Sequence, residues 1–391
     1  MAETDIIMWI VSFVFISIVF TFLAPQMMWL QARAGLGQMR KTVVELDTLA
    51  KDSKKLALKA IAKHGRLKQD IEKDLDNFLE FFAIEPVHDD PAGVIKRLDH
   101  ILDVRNKRFE GVVARLAPNA DKETAANLEL AMEGAMANYA LFRVVRHFLI
   151  QAEKTKNIQI VMIVQMSLPF LRTFAKAYNE ATKAFVEGKA IGDGIGPLTV
   201  SKLVGNTKWF ETVEDTVYTE TKFEQRKLLI VKAKGPGGRV GKPGELIAKL
   251  ASKKKISRII MIDAAAKLEG EVSGDVVEGV GAAIGGPPTE KYKIEEIAVK
   301  RKIPVDAIII KESLMEALKP LNKRLVKGAD VAVEKIKAGI RERTKPGDVV
   351  IVAGIGNTIG IGQAPKDVPS EFPAPTELKK GEIESTFLSI R

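Results

Sequence analysis

Residues 6–24 form a nineteen-residue stretch that is apolar apart from Ser12, Ser17 and Thr21, and no charged side chain stands between Asp5 and Arg33. As a helix the run rises about 28 Å, close to the hydrocarbon thickness of a bilayer. A cleaved secretory leader would open on basic residues, hold a shorter apolar stretch and close on small residues. This chain opens on Glu3 and Asp5 and continues past the run through Pro25, Met27, Met28 and Trp29. The pattern predicts an uncleaved, single-pass transmembrane helix over 6–25, with Trp9 and Trp29 at the two interfaces. A helix buried in a soluble core is the alternative. Arg33, Arg40 and Lys41 follow the run, so residues 1–5 are expected outside the cell membrane and the bulk of the chain in the cytoplasm.

The rest of the chain is long enough for two or three domains: 391 residues, 46% of them apolar. With no cysteine, disulfide frameworks, thiol nucleophiles, iron–sulfur clusters and thiolate zinc sites are excluded. Only His64, His88, His100 and His147 are present, none four residues from another, which disfavours zinc and His-dependent catalysis; no metal site is expected, and no cofactor is indicated. The formal net charge of +10 becomes +12 once Glu3 and Asp5 are set aside. Such a surface suits anionic lipid headgroups, and equally nucleic acid.

Residues 36–190 read as a helical domain. Leu36, Met39, Val43, Leu46 and Ala50 recur at three and four, a stripe that packs on its own domain or, as a short coiled-coil seam, drives self-association into a homo-oligomer. The break at 85–91 gathers Glu85, His88, Asp89 and Asp90, but Asp90 followed by Pro91 is first of all a helix start. Asn119 or Asp121 starts the next helix, with Arg143, Arg146 and His147 along a solvated or headgroup-facing edge. A second apolar stretch, 158–171, holds Gln159 and Gln165 and is bounded by Lys156 and Arg172. At fourteen residues it reads as a core helix, with a second membrane element as the alternative.

Residues 191–225 form a glycine hairpin and connector. Gly192, Asp193, Gly194, Ile195, Gly196 and Pro197, followed by an apolar turn to Val204, resemble a helix-hairpin-helix element. That resemblance implies phosphate contact by the backbone at Gly194 and Gly196, with Lys202 nearby, and hence nucleic acid as a less favoured partner; a structural turn is the simpler reading. From 226 to 363 strands at 228–233, 258–263, 305–310 and 348–353 alternate with helices at 243–255, 294–301 and 314–340, the pattern of an α/β domain with a mainly parallel sheet. Ligands of such sheets bind where strands end in loops. The exit loops offer Lys234, Gly235, Gly237, Gly238 and Arg239, then Gly285 and Gly286, then Gly354, Gly356 and Asn357. Backbone donors with cations nearby can cradle a small anionic or nucleotide-like ligand, although neither the phosphate-loop nor the dinucleotide fingerprint is complete.

Over 227–271 the strand, loop, helix, strand order, with Asp263 followed by Lys267, Glu269, Gly270 and Glu271, is similar to the metal-binding half of a toprim fold. The resemblance implies Asp263, Glu269 and Glu271 as catalytic candidates. The first strand ends Val231, Lys232, Ala233, Lys234 where that family has a glutamate, and Asp263 is followed by Ala264 and Ala265. Over its whole length the chain resembles an uncharacterised archaeal single-pass membrane-protein family, defined as a domain of unknown function, on the anchor, the helical middle, the glycine hairpin, the 233–238 loop and the closing run 353–358. The tail 364–391, with Pro365, Pro369, Pro373 and Pro375, reads as a flexible extension. Three functions remain: a membrane-tethered binding or scaffold protein for an anionic small molecule, a metal-dependent enzyme on a phosphorylated or nucleotide substrate, and a membrane-associated nucleic-acid binder.

Overall fold

The computed structural model describes residues 2–65, 68–83, 91–286, 288–363, 369 and 371–375; the 85–90 break and most of the tail lie outside them. The helices run α1 (Ala2–Ala62), α2 (Lys68–Leu79), α3 (Pro91–Leu116), α4 (Lys122–Thr155) and α5 (Ile158–Val186). Asp121 starts α4 as expected, its carboxylate accepting from the Thr124 amide at 2.7 Å. The described residues divide into two compact units, one of residues 2–51 and 137–176, the other built on residues 52–136 and from 177 onward.

In the first unit the stripe of α1 packs on its own chain. Met39 and Leu46 join Val145, Leu149 and Ala152 of α4 and Val161, Val164 and Leu168 of α5 in one core. The Gln165 amide donates to Gln38 at 3.0 Å and Arg172 pairs with Glu45 at 2.6 Å, so α5 runs beside α1 in the same direction. The 158–171 stretch is the start of a 29-residue helix, and among the described residues α5 is the one helix long and apolar enough to cross a membrane. Of the amino-terminal anchor expected at 6–25, the side chains of residues 6, 7, 10, 18–20 and 22–25 lie outside those described, and that measure gives it no support. Only one face of α5 is core: Val161, Val164 and Leu168 are buried, while Met162, Ile163, Met166 and Phe170 face outward.

In the second unit a seven-stranded sheet is built from β1 (Phe210–Val213), β2 (Thr216–Phe223), β3 (Arg226–Ala233), β4 (Arg258–Ala266), β5 (Val276–Val280), β6 (Val305–Glu312) and β7 (Val349–Gly354), in the order β1-β2-β3-β7-β4-β6-β5. Alternate residues feed two cores. Leu228, Ile230, Ile260, Ile262, Ile308, Ile310, Val350 and Val352 pack on α6 (Ile195–Ser201) and α10 (Lys323–Arg343). Leu229, Val231, Ile259, Met261 and Ile351 pack on α7 (Pro243–Lys253) and α8 (Pro288–Arg301). Burial on both faces is why these strands read as continuous apolar runs.

The sheet is mixed, which corrects the mainly parallel expectation. The pairs β3–β7, β7–β4 and β4–β6 are parallel, whereas β1–β2, β2–β3 and β5–β6 are antiparallel. The connector supplies the first two of these extra strands, joined at Glu214 and Asp215, with Asp215 at φ 52°. The helix expected at 314–340 is two, α9 (Leu314–Leu318) and α10, because Pro320 interrupts it and Asn322 caps the second by accepting from the Arg324 and Leu325 amides. The described part of the expected flexible tail is held at two points: Phe372 packs against the α10-side core, and the Lys323 amide donates to the Pro373 carbonyl at 3.0 Å.

Candidate functional site

The carboxyl ends of β4 and β6 carry Asp263 and Glu312, which are only 5% and 3% exposed. Asp263 alternates with Ile259 and Met261 and so belongs to the α7–α8 face, while Glu312 alternates with Ile308 and Ile310 and belongs to the α6–α10 face. Asp193, in the 3-10 turn Gly192–Gly194, crosses the sheet end between them. It is the negative charge that acts most strongly on each. Asp193 as a residue is partly buried, while its carboxyl group lies deep enough for burial to act on it.

Backbone amides satisfy two of the three acids. Asp193 accepts from the Asn357 amide at 2.8 Å, and Asp263 accepts from the Gly285 amide at 2.9 Å and from Ala264 at 2.8 Å. Glu312 is different: its Oε2 is buried and has no hydrogen-bond partner among the described residues. Glu316 of α9, next in the cluster, accepts from Ser273, from the Ser313 amide and from Asn322.

Burial pushes Asp263 up to about 7, the charge of Asp193 adds to it, and the two amides pull only partly back. Burial likewise raises Glu312 well above the usual glutamate range, with Asp193, Glu316 and Asp263 acting in the same direction. Asp193 is raised by burial against its bond from Asn357. For Glu316 burial acts upward too, but its hydrogen bonds from Ser273 and Ser313 hold it below the ordinary value. A dry site with more acceptors than donors stabilises protons, cations, or ligands that bring N–H and O–H groups. Among the described residues, no three acids or histidines are placed to hold a metal ion.

Of the residues expected to bind a ligand, Gly285, Gly354, Gly356 and Asn357 come to this end of the sheet. Gly356, at φ 128°, lies directly against the Asp193 carbonyl, an approach no side chain permits. Gly354 packs on the Gly196 carbonyl, and Gly286 stands open beside Gly285. The other loop goes elsewhere. Gly237 and Gly238 pack on α4, the Gly238 amide donating to Asn127 at 2.9 Å, and Gly235 packs on the Ile361 carbonyl. Lys234 pairs with Glu211 at 2.6 Å, and Arg239 sits among Asp215, Glu129 and Glu110 at 3.2, 3.8 and 4.0 Å. Lys242 pairs with Asp103 and Glu214.

The toprim-like acids do not converge. Glu269 is exposed, and Glu271 pairs with Lys311 and caps the Leu268 amide, leaving Asp263 alone in the cluster. Gly194 and Gly196 of the hairpin are buried, and Lys202 pairs with Asp330. Asp193, Glu312 and Glu316 were missed from sequence. Their signals were an acid flanked by glycines, a charge closing an apolar strand, and the Ser313 to Glu316 spacing of a capping box.

The architecture defines a two-part protein, an amino-terminal helical segment followed by an α/β domain with a buried acidic site at the strand ends. The amino-terminal domain of the DUF1512 family, described as a protein of unknown function, matches residues 6–188, and its carboxy-terminal domain, described as a domain of unknown function, matches residues 191–362. The chain belongs to this family. Among curated proteins nothing matches it.

Proposed function

We propose that this chain is a membrane-anchored, cytoplasm-facing binding or scaffold protein whose α/β domain takes a small ligand at the carboxyl ends of β4 and β6. Glu312 carries the reading. A buried acceptor without a donor costs about 1–3 kcal/mol, and a ligand reaching it recovers that energy. The matching ligand brings hydroxyl or amino donors. For the nucleotide-like ligand expected from the glycine loops, this means recognition through the sugar and base, as a carboxylate takes ribose hydroxyls at a strand end, because Lys234, Arg239 and Lys242 are engaged in ion pairs away from the acids.

The anchoring part is supported by α1. Met8, Trp9, Val11 and the run from Phe13 to Ile16 are exposed along its first turns, whereas Gly35, Met39 and Leu46 are buried farther on. An archaeal host belongs to the same reading, on the Lys-, Glu- and Ile-heavy composition.

The test is thermal unfolding of the detergent-solubilised full chain with nucleosides, nucleotides and polyamines, each with and without Mg²⁺. Nucleosides and nucleotides should stabilise alike, by about 2.7 kcal/mol at a hundredfold excess over Kd, and Glu312→Gln should lose the effect. Stabilisation that needs the phosphate, or that survives in Glu312→Gln, overturns the site. A second reading, acid–base catalysis, is favoured by Asp263, a buried carboxyl raised to about 7 beside another acid. Turnover in the same screen, abolished in Asp263→Asn, would establish it.

A further inference from the structure

The sequence offers Arg239 as a cation for a ligand, and the structure sets it among three acids. Its guanidinium lies 3.2 Å from Asp215 in the β1–β2 turn, 3.8 Å from Glu129 of α4 and 4.0 Å from Glu110 of α3. Glu110 and Glu129 belong to the amino-terminal domain of the family, Asp215 and Arg239 to the carboxy-terminal one. Burial raises all three carboxyls, Glu129 to about 7, and Arg239 is the cation that pulls each of them back most strongly. Three half-desolvated carboxyls from three elements thus hold one guanidinium in place.

The backbone of the same residue holds the loop that follows β7. The Arg239 carbonyl accepts from the Thr358 amide at 2.9 Å, and the Thr358 hydroxyl lies 3.0, 3.1 and 3.3 Å from the carbonyls of Gly237, Arg239 and Lys234. The Gly360 amide donates to the Pro236 carbonyl at 2.8 Å, and the Gln363 side chain to that of Gly235 at 2.8 Å. Thr358 follows Asn357, whose amide donates to the Asp193 carboxylate at 2.8 Å. From the acids of α3 and α4 to the acid that crosses the sheet end there are therefore only an ion pair and two backbone hydrogen bonds.

We infer that Arg239 is a positioning residue for the acid site: gripped by Glu110, Glu129 and Asp215, it fixes the loop after β7, and that loop fixes the Asp193 carboxylate beside Asp263 and Glu312. Arg239 touches no ligand itself. A buried site works only when its polar groups are held by a second layer of contacts, and here part of that layer comes from the helices of the other family domain. The bearing on ligand binding rests on the site proposed above, whereas the bearing on Asp193 does not.

Backbone amide exchange, followed by mass spectrometry on the full chain in detergent, tests this without a ligand. Arg239→Gln should speed exchange over 354–362 roughly tenfold, the loss of about one hydrogen bond, and leave 258–263 in the middle of the sheet unchanged. Arg239→Lys, which keeps a cation beside Asp215, should restore most of the protection. Thr358→Val removes the hydroxyl at the far end of the same link without altering any charge, and should act in the same direction as Arg239→Gln. The deciding readout is a cycle with Asp193→Ala, which takes the acceptor away from the Asn357 amide. If Arg239 acts through that bond, adding Arg239→Gln to Asp193→Ala speeds exchange over 354–362 by less than about twofold. Factors that multiply in the double variant, or exchange that rises over 258–263 as much as over 354–362, reduce Arg239 to a general stabiliser and overturn the inference. Failure of the nucleoside and nucleotide screen would remove the proposed ligand site and leave these exchange rates, and the positioning of Asp193, as they are.

Discussion

At the scale of single residues, the acids at the sheet end decide how this domain responds to pH. Asp263 is raised by burial to about 7, so from about pH 4 to 7 the folded chain holds a proton that the unfolded chain has released. Stability therefore falls as pH rises through that window. For Asp263 the fall is on the order of 4 kcal/mol by pH 7. Asp263→Asn should flatten the decline of Tm between about pH 4 and 7; an unchanged slope would assign the titration to other groups. Asp263 was legible in sequence, as a charge just past an apolar strand. Its partners were not, since nothing local says that Asp193, seventy residues upstream, crosses the end of the same sheet.

Among the elements, the glycine hairpin and α6 show how a motif visible in sequence can end up packed inside the domain. A Cβ on Gly196 would stand 2.7 Å from the Ile262 carbonyl and closer still to that of Ile355, both backbone atoms that cannot move aside. Gly196→Ala should cost about 3 kcal/mol, the range of an overpacked core. Gly205→Ala, with nothing within 4 Å, should stay within about 0.5 kcal/mol. Denaturant midpoints for the two variants check this, and equal midpoints would refute the close packing. The strands with both faces buried announced themselves as apolar runs. The strands β1, β2 and β5 did not, because each is short or half exposed, although Thr216 to Thr221 alternates β-branched residues on either side of Tyr218 and Glu220.

For the whole molecule, the test of placement is removal of residues 2–25. If α1 is the anchor, full-length protein stays with membranes through a high-salt wash and the shortened chain moves to the aqueous fraction. Retention of the shortened chain would transfer the anchoring to α5, whose apolar length also suffices. The sequence alone determined what depends on neighbours along the chain: where apolar runs begin and end, which residues cap helices, and where helical periodicity gives way to strands. Only the tertiary structure decided which charges meet. It sent Arg239 to the acids beside α4 and brought Asp193, Asp263 and Glu312 to one end of the sheet. The physical reason is range: hydrophobic periodicity is a local property, whereas burial and the field of a distant carboxylate exist only once strands remote in sequence lie side by side.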